Sequence, residues 1–183
     1  MIKKLIVFVS LLLGCLPLLL SQKYYSKTAK FFFVSEAPVE KIEGINSSGY
    51  VIVDVASGAI EMSVLIKGFK FEKALMQDHF NENYMESSAY PKGIFKGSFT
   101  NLYELNFSKD GEYTAMVKGN LTLHGITKPL TTTSKITVKG SGITARSNFD
   151  IAIVDFGIQV PKVVRENIAK TVTVSVQADL QRM

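Results

Sequence analysis

His79 and His124 are the only imidazoles in the chain, and they limit the acid–base or metal chemistry open to it. Neither stands in a His-Glu-x-x-His spacing. Two imidazoles with one carboxylate bind zinc only where a fold brings them together. A metal-dependent enzyme using His79 and His124 is therefore one reading that a structure can test. Nucleophile and phosphate chemistry find no motif, because the chain lacks a Gly-x-Ser-x-Gly elbow and a glycine-rich phosphate loop. Asp155-Phe156-Gly157 copies the kinase metal-binding tripeptide in letters only, and Asp155 reads as the end of a strand. The more economical roles for the histidines are structural. His124, before Gly125 at a strand end, orients the following turn through a ring hydrogen bond, and His79 packs on a helix or the surface. Both are also candidate polar contacts for a bound ligand.

The other chemistry on offer is burial of hydrocarbon. Met62, Val64, Phe95, Phe99, Val117, Leu121, Leu123, Phe149, Ile151 and Ile153 fall on apolar faces of alternating segments, free of titratable groups. Turned inward, these faces make a greasy lumen. Each buried methylene gains ~0.8 kcal/mol, so a few buried carbons gain a few kcal/mol there. The same alternation also builds the filled core of a barrel without ligand, which stays open as a structural or partner-binding alternative. A one-residue slip would exchange the two faces.

The elements that carry these residues are mostly strands. Phe31 to Val34, Tyr50 to Val55, Ile60 to Ile66, Ile94 to Leu102, Tyr113 to Leu123, Thr131 to Val138, Ile143 to Val154 and Thr171 to Leu180 are rich in alternating or β-branched residues. Ala56-Ser57-Gly58, Lys109-Asp110-Gly111-Glu112 and Gly140-Ser141-Gly142 supply turns between them. About eight strands at regular spacing predict an all-β fold, an antiparallel sandwich or barrel. One helix is predicted from about Glu72 to Met85. Met76, Phe80 and Tyr84 recur on it every four residues, as a stripe packed on the sheet or a lid at a cavity mouth. Met62, Met76 and Met85 suit an adaptable apolar wall. Pro38 to Ser48 reads as a connection with helical character in Val39 to Glu43.

The first 21 residues are a separate unit. Lys3 and Lys4 precede an uncharged apolar stretch, Leu5 to Leu20, in the pattern of a secretory signal peptide. Cleavage after Ser21 is one outcome. Leu12-Leu13-Gly14-Cys15 resembles a lipobox, which would make Cys15 a lipidated N-terminus. An uncleaved anchor is the third outcome. Each predicts an exported domain over residues 22–183, periplasmic or at an envelope membrane. Without its first 21 residues, the 183-residue chain of net charge +5 keeps 162 residues, loses two lysines and falls to +3. It also loses its one cysteine. A charge so mild excludes a dedicated nucleic-acid binder, and the domain has no disulfide or cysteine-based metal site. The oligomeric state, a homodimer included, is left open.

Gly119 to Leu130 reads GNLTLHGITKPL, which resembles the signature of the YceI-like family at His124, Gly125, Ile126, Thr127, Lys128, Pro129 and Leu130. Asp78-His79-Phe80, then Tyr90-Pro91 and Phe95, resemble its helix and following strand. Asp155-Phe156-Gly157-Ile158 resembles its late element. The resemblance spans about Phe31 to Leu180. It implies an eight-stranded antiparallel lipocalin-like barrel, usually periplasmic, whose interior holds an isoprenoid chain such as a quinone or polyprenyl tail. With no catalytic motif in the chain, no catalytic residue is expected, and no cofactor beyond the lipid itself. Transient membrane contact follows from such a ligand, with Met76, Phe80 and Tyr84 at the entrance. Two departures stand out. Met76-Gln77-Asp78 precedes His79 where the family often carries Arg-Asp, and Gly157 to Thr171 matches no family pattern.

Overall fold

The computed structural model describes residues 23–183, so the segment expected to direct export lies outside the described residues. Eight strands form a closed antiparallel barrel in sequence order: β1 (Lys23–Glu36), β2 (Lys41–Asp54), β3 (Ala59–Leu65), β4 (Lys92–Phe99), β5 (Gly111–Leu123), β6 (Ile126–Lys139), β7 (Gly142–Ala152) and β8 (Thr171–Arg182). Closure comes from β1, which pairs with β2 along one edge and with β8 along the other. β6 and β7 pair over Ser134–Lys139 and Gly142–Ser147, and beyond that they diverge toward the other end of the barrel.

The pairing differs from the sequence expectation at two places. Residues 41–48 are the first half of β2 and are not helical. Phe31 to Glu36 of β1 supply their partners, and the hairpin turn is confined to residues 37–40. Gly44 and Gly49 fit this strand for a local reason. A Cβ at Gly44 would lie 2.3 Å from the Phe33 ring, and one at Gly49 would lie 2.2 Å from the Phe31 ring. Both rings occupy the room that the glycines leave. The second difference concerns Asp110. The connection from β4 to β5 runs through a 3-10 turn at Leu102–Glu104, and the Asp110 carboxylate accepts a bond from the Gly140 amide across the barrel end.

The helix is shorter and less regular than its stripe suggests. An α-helix, α1 (Ala74–His79), passes directly into a π-helical turn at Phe80–Tyr84, closed by the Met85 amide donating to the Phe80 carbonyl. The wider turn carries Met85 inward, where it is fully buried. No helix among the described residues is long and apolar enough to cross a bilayer.

The two ends of the barrel differ. The β2–β3, β4–β5 and β6–β7 connections gather at one end with both ends of the described chain. That half is packed by Val51, Val53, Ile60, Ile136, Val138 and Leu180. The β1–β2 hairpin, α1, the β5–β6 turn and the β7–β8 connection gather at the other end.

Candidate functional site

A cavity of about 380 Å³ occupies the half of the barrel that faces α1. It is within the size range of small-molecule sites. Register explains its depth. Met62 pairs with Phe95 and Phe95 with Leu121, so three inward side chains stand on one rung across β3, β4 and β5. Above that rung Val64, Leu123, Ile151, Ile153 and Val174 form the wall. Below it a second void of only about 50 Å³ is enclosed by packed side chains.

Most of the predicted site residues come together here. Met62, Val64, Phe95, Leu121, Leu123, Phe149, Ile151 and Ile153 line the cavity, and Met76, His79, Phe80 and Tyr84 line it from the helical segment. Burial within this wall raises the pKa of the Tyr84 phenol. Phe99 and Val117 do not reach the cavity. They face inward, paired with each other, but lie below the Met62–Phe95–Leu121 rung in the packed half. Alternation sets which way a side chain points and says nothing of its depth along the strand.

Residues that the sequence pattern did not single out complete the wall. Phe33, Phe69 and Phe71 surround Phe80, with ring centroids 5.5, 5.7 and 4.9 Å from it. Phe69 and Phe71 follow the 3-10 turn after β3, outside any strand period. From the β7–β8 connection come Ile158, Val160, Val164 and Ile168. Their irregular spacing hides them, although their apolar character in a polar-looking loop was the available signal.

Polar groups are few: Glu40, Lys73 and Asn167 on the connections, His79 and the Tyr84 phenol on the helical segment, and Ser35 in β1, whose hydroxyl accepts from the Ala169 amide. Lys73 Nζ donates to Glu40 Oε1 at 3.0 Å, tying α1 to the β1–β2 hairpin. That hydrogen bond, with the Lys73 charge behind it, holds the Glu40 carboxyl below its ordinary value and raises Lys73 in return. A carboxyl whose folded value is depressed contributes to stability above its unfolded value and loses that contribution as pH falls through the folded one. The pairing therefore keeps Glu40 ionised to lower pH than it would be without Lys73. In an NMR titration of Glu40, Lys73→Ala is expected to move the midpoint upward; an unmoved midpoint would remove the ion pair from the mouth.

His124 stands beside the cavity, outside its wall, and clasps three connections. His124 and Gly125 form the two-residue turn between β5 and β6, with φ values of 49° and 73°. Positive φ at both positions is the geometry of a type I′ hairpin, and histidine is among the residues that tolerate it. The ring then reaches outward. Nδ1 lies 3.0 Å from the Phe156 carbonyl, and Nε2 lies 3.0 Å from Glu86 Oε2. Both partners are acceptors, so the ring nitrogen that bears the proton donates to the one it faces. Tyr90 packs edge-on against the imidazole, centroids 4.6 Å apart. The expected turn-orienting bond is present, and it is shared between two distant loops. Asp155 lies in a 3-10 turn at Ile153–Phe156, just beyond the end of β7, closed by Gly157 at φ 69°.

His124→Ala is expected to cost about 1–3 kcal/mol, the range for leaving a partly buried partner unpaired. His124→Asn, which keeps the left-handed turn easy, should cost less. Urea midpoints equal to wild type for both would show that the clasp contributes nothing. Among the described residues no three His, Cys, Asp or Glu side chains converge as metal ligands do. His79 lines the cavity, whereas His124 stands outside its wall and bonds Phe156 and Glu86.

A closed eight-stranded barrel with an apolar cavity opening at one end defines a lipocalin-like protein class. Residues 25–180 match the family model described as YceI-like domain, and the chain belongs to that family. Solved structures share the fold. A polyisoprenoid binding domain from Saccharophagus degradans, implicated in plant cell wall breakdown, superposes with a TM-score of 0.75 at 11% identity. The match covers 89% of this chain and 99% of that one. Burkholderia cenocepacia BcnA gives a TM-score of 0.66 at 20% identity, covering 83% and 94% of the two chains. The Campylobacter jejuni YCEI protein gives 0.50 at 17% identity, covering 72% and 80%. No curated protein matches the chain.

Proposed function

We propose that this protein binds an isoprenoid-type lipid, a quinone or polyprenyl chain, inside its barrel and carries or sequesters it without chemical change. The observation that supports this most is the cavity itself: about 380 Å³, walled by aliphatic and aromatic side chains from five or more strands. Most of its polar lining, Glu40, Lys73, His79 and Asn167, comes from the segments outside the barrel strands, which suits an amphiphile with a buried tail and a wet head. The name of the Saccharophagus domain, a polyisoprenoid binder of the same fold, agrees with the reading. A noncatalytic role fits the engagement of both His124 nitrogens by protein groups.

The mouth also suits transient contact with a membrane surface, from which such a lipid would load. Val39, Leu75, Val154 and Val163 are 63%, 65%, 73% and 91% exposed on the connections around it. Lys162 and Arg165 flank Val163. Export to the periplasm belongs to the same proposal and rests on the basic, apolar start of the chain. Addition of ubiquinone or a polyprenol to delipidated protein tests the binding. Co-elution of lipid with protein on gel filtration is expected, and elution of all lipid in the void or on the column matrix would refute it.

A further inference from the structure

We infer that Met62, Phe95 and Phe149 are the floor that sets how long a tail the barrel accepts; this rests on the lipid-binding reading above. These three side chains line both the large cavity and the small void beneath it, so they stand between the two. The floor is firm at Phe95. Its ring lies over Gly97 and Gly119, the paired glycines of β4 and β5, and a Cβ at either would come within 2.6 Å of Phe95 Cζ. Phe95 is 3% exposed, so the ring has no solvent side into which to swing. From this rung to the Leu65–Lys92 pair at the top of the sheet is three residues, about 10 Å of strand. The loops above add further depth. A tail of a few isoprene units is enclosed, and a longer one leaves its far end outside at the mouth. Below the floor the void is lined mainly by apolar side chains, among them Val51, Phe99, Val117 and Val176, with the hydroxyls of Thr132, Ser134 and Ser147 on one side, and it would accept carbon against its apolar part if the floor were cut away.

The test loads delipidated wild type, Phe95→Ala and Leu121→Phe with an equimolar mixture of farnesol and geranylgeraniol. Retained prenols are quantified by mass spectrometry after gel filtration. Phe95→Ala is expected to raise the ratio of geranylgeraniol to farnesol about tenfold, the equivalent of burying roughly two more methylenes. Leu121→Phe, which thickens the floor from its own rung, should lower the ratio, and it gives the answer if Phe95→Ala does not fold. An unchanged ratio in a folded, prenol-retaining variant overturns the floor while leaving lipid binding intact. Failure of wild type to retain either prenol overturns the lipid reading, and the floor with it.

Discussion

Gly119→Ala is expected to lower the stability of the barrel by about 3 kcal/mol or more, at the upper end of what overpacking a core costs. A Cβ there would sit 2.4 Å from the Lys96 carbonyl, 2.5 Å from Gly97 Cα and 2.6 Å from Phe95 Cζ. Two of these three neighbours are backbone of the adjacent strand, which cannot rotate out of the way. Relief requires β4 and β5 to part, and both are held in a closed barrel. In thermal unfolding this corresponds to a fall of roughly 6–12 °C for a domain of this size. Gly142→Ala is the control, since the nearest atom to its Cβ is the Lys139 carbonyl at 3.4 Å. A Gly119→Ala protein that unfolds within a degree or two of wild type would mean that the two strands do not approach so closely.

The second large effect is on binding. Leu121→Glu places a carboxylate in the apolar wall, on the rung that meets the floor. A lipid tail lying against it would strip its water without offering a hydrogen bond. Burial of a polar group unpaired costs a few kcal/mol, so retention of quinone or prenol should fall about a hundredfold. The neighbouring outward position separates this from a general loss of structure. Asn120 is exposed on the outer face, between Lys96 and Pro129, and Asn120→Glu should retain lipid as wild type does. Equal retention by the two variants would place the tail somewhere other than this lumen.

The sequence made the barrel readable because its strands alternate cleanly where they face hydrocarbon. All eight appear in the expected order, and His124-Gly125 forms the expected turn. The first half of β2 was hidden because Lys41 to Ser48 has little β-branched content. Its strand character comes from β1, whose Phe31 and Phe33 rings lie over Gly49 and Gly44. Depth along the barrel was also hidden. Val117 and Leu121 share a face of one strand, yet one belongs to the packed half and the other to the cavity wall. Which end stays open depends on Phe69, Phe71 and the 158–168 segment, whose placement follows from tertiary contacts and not from period. The clasp joins Glu86, His124 and Phe156, separated by more than thirty residues on each side. No local pattern reports such a meeting.

The most direct measurement is organic extraction of the natively purified, never delipidated protein, followed by mass spectrometry of the extract. The expected result is an isoprenoid-type lipid in near-stoichiometric amount, carried by wild type and absent from Leu121→Glu. An extract free of such lipid, from protein that also takes up no added quinone or polyprenol, would contradict a lipid-holding barrel.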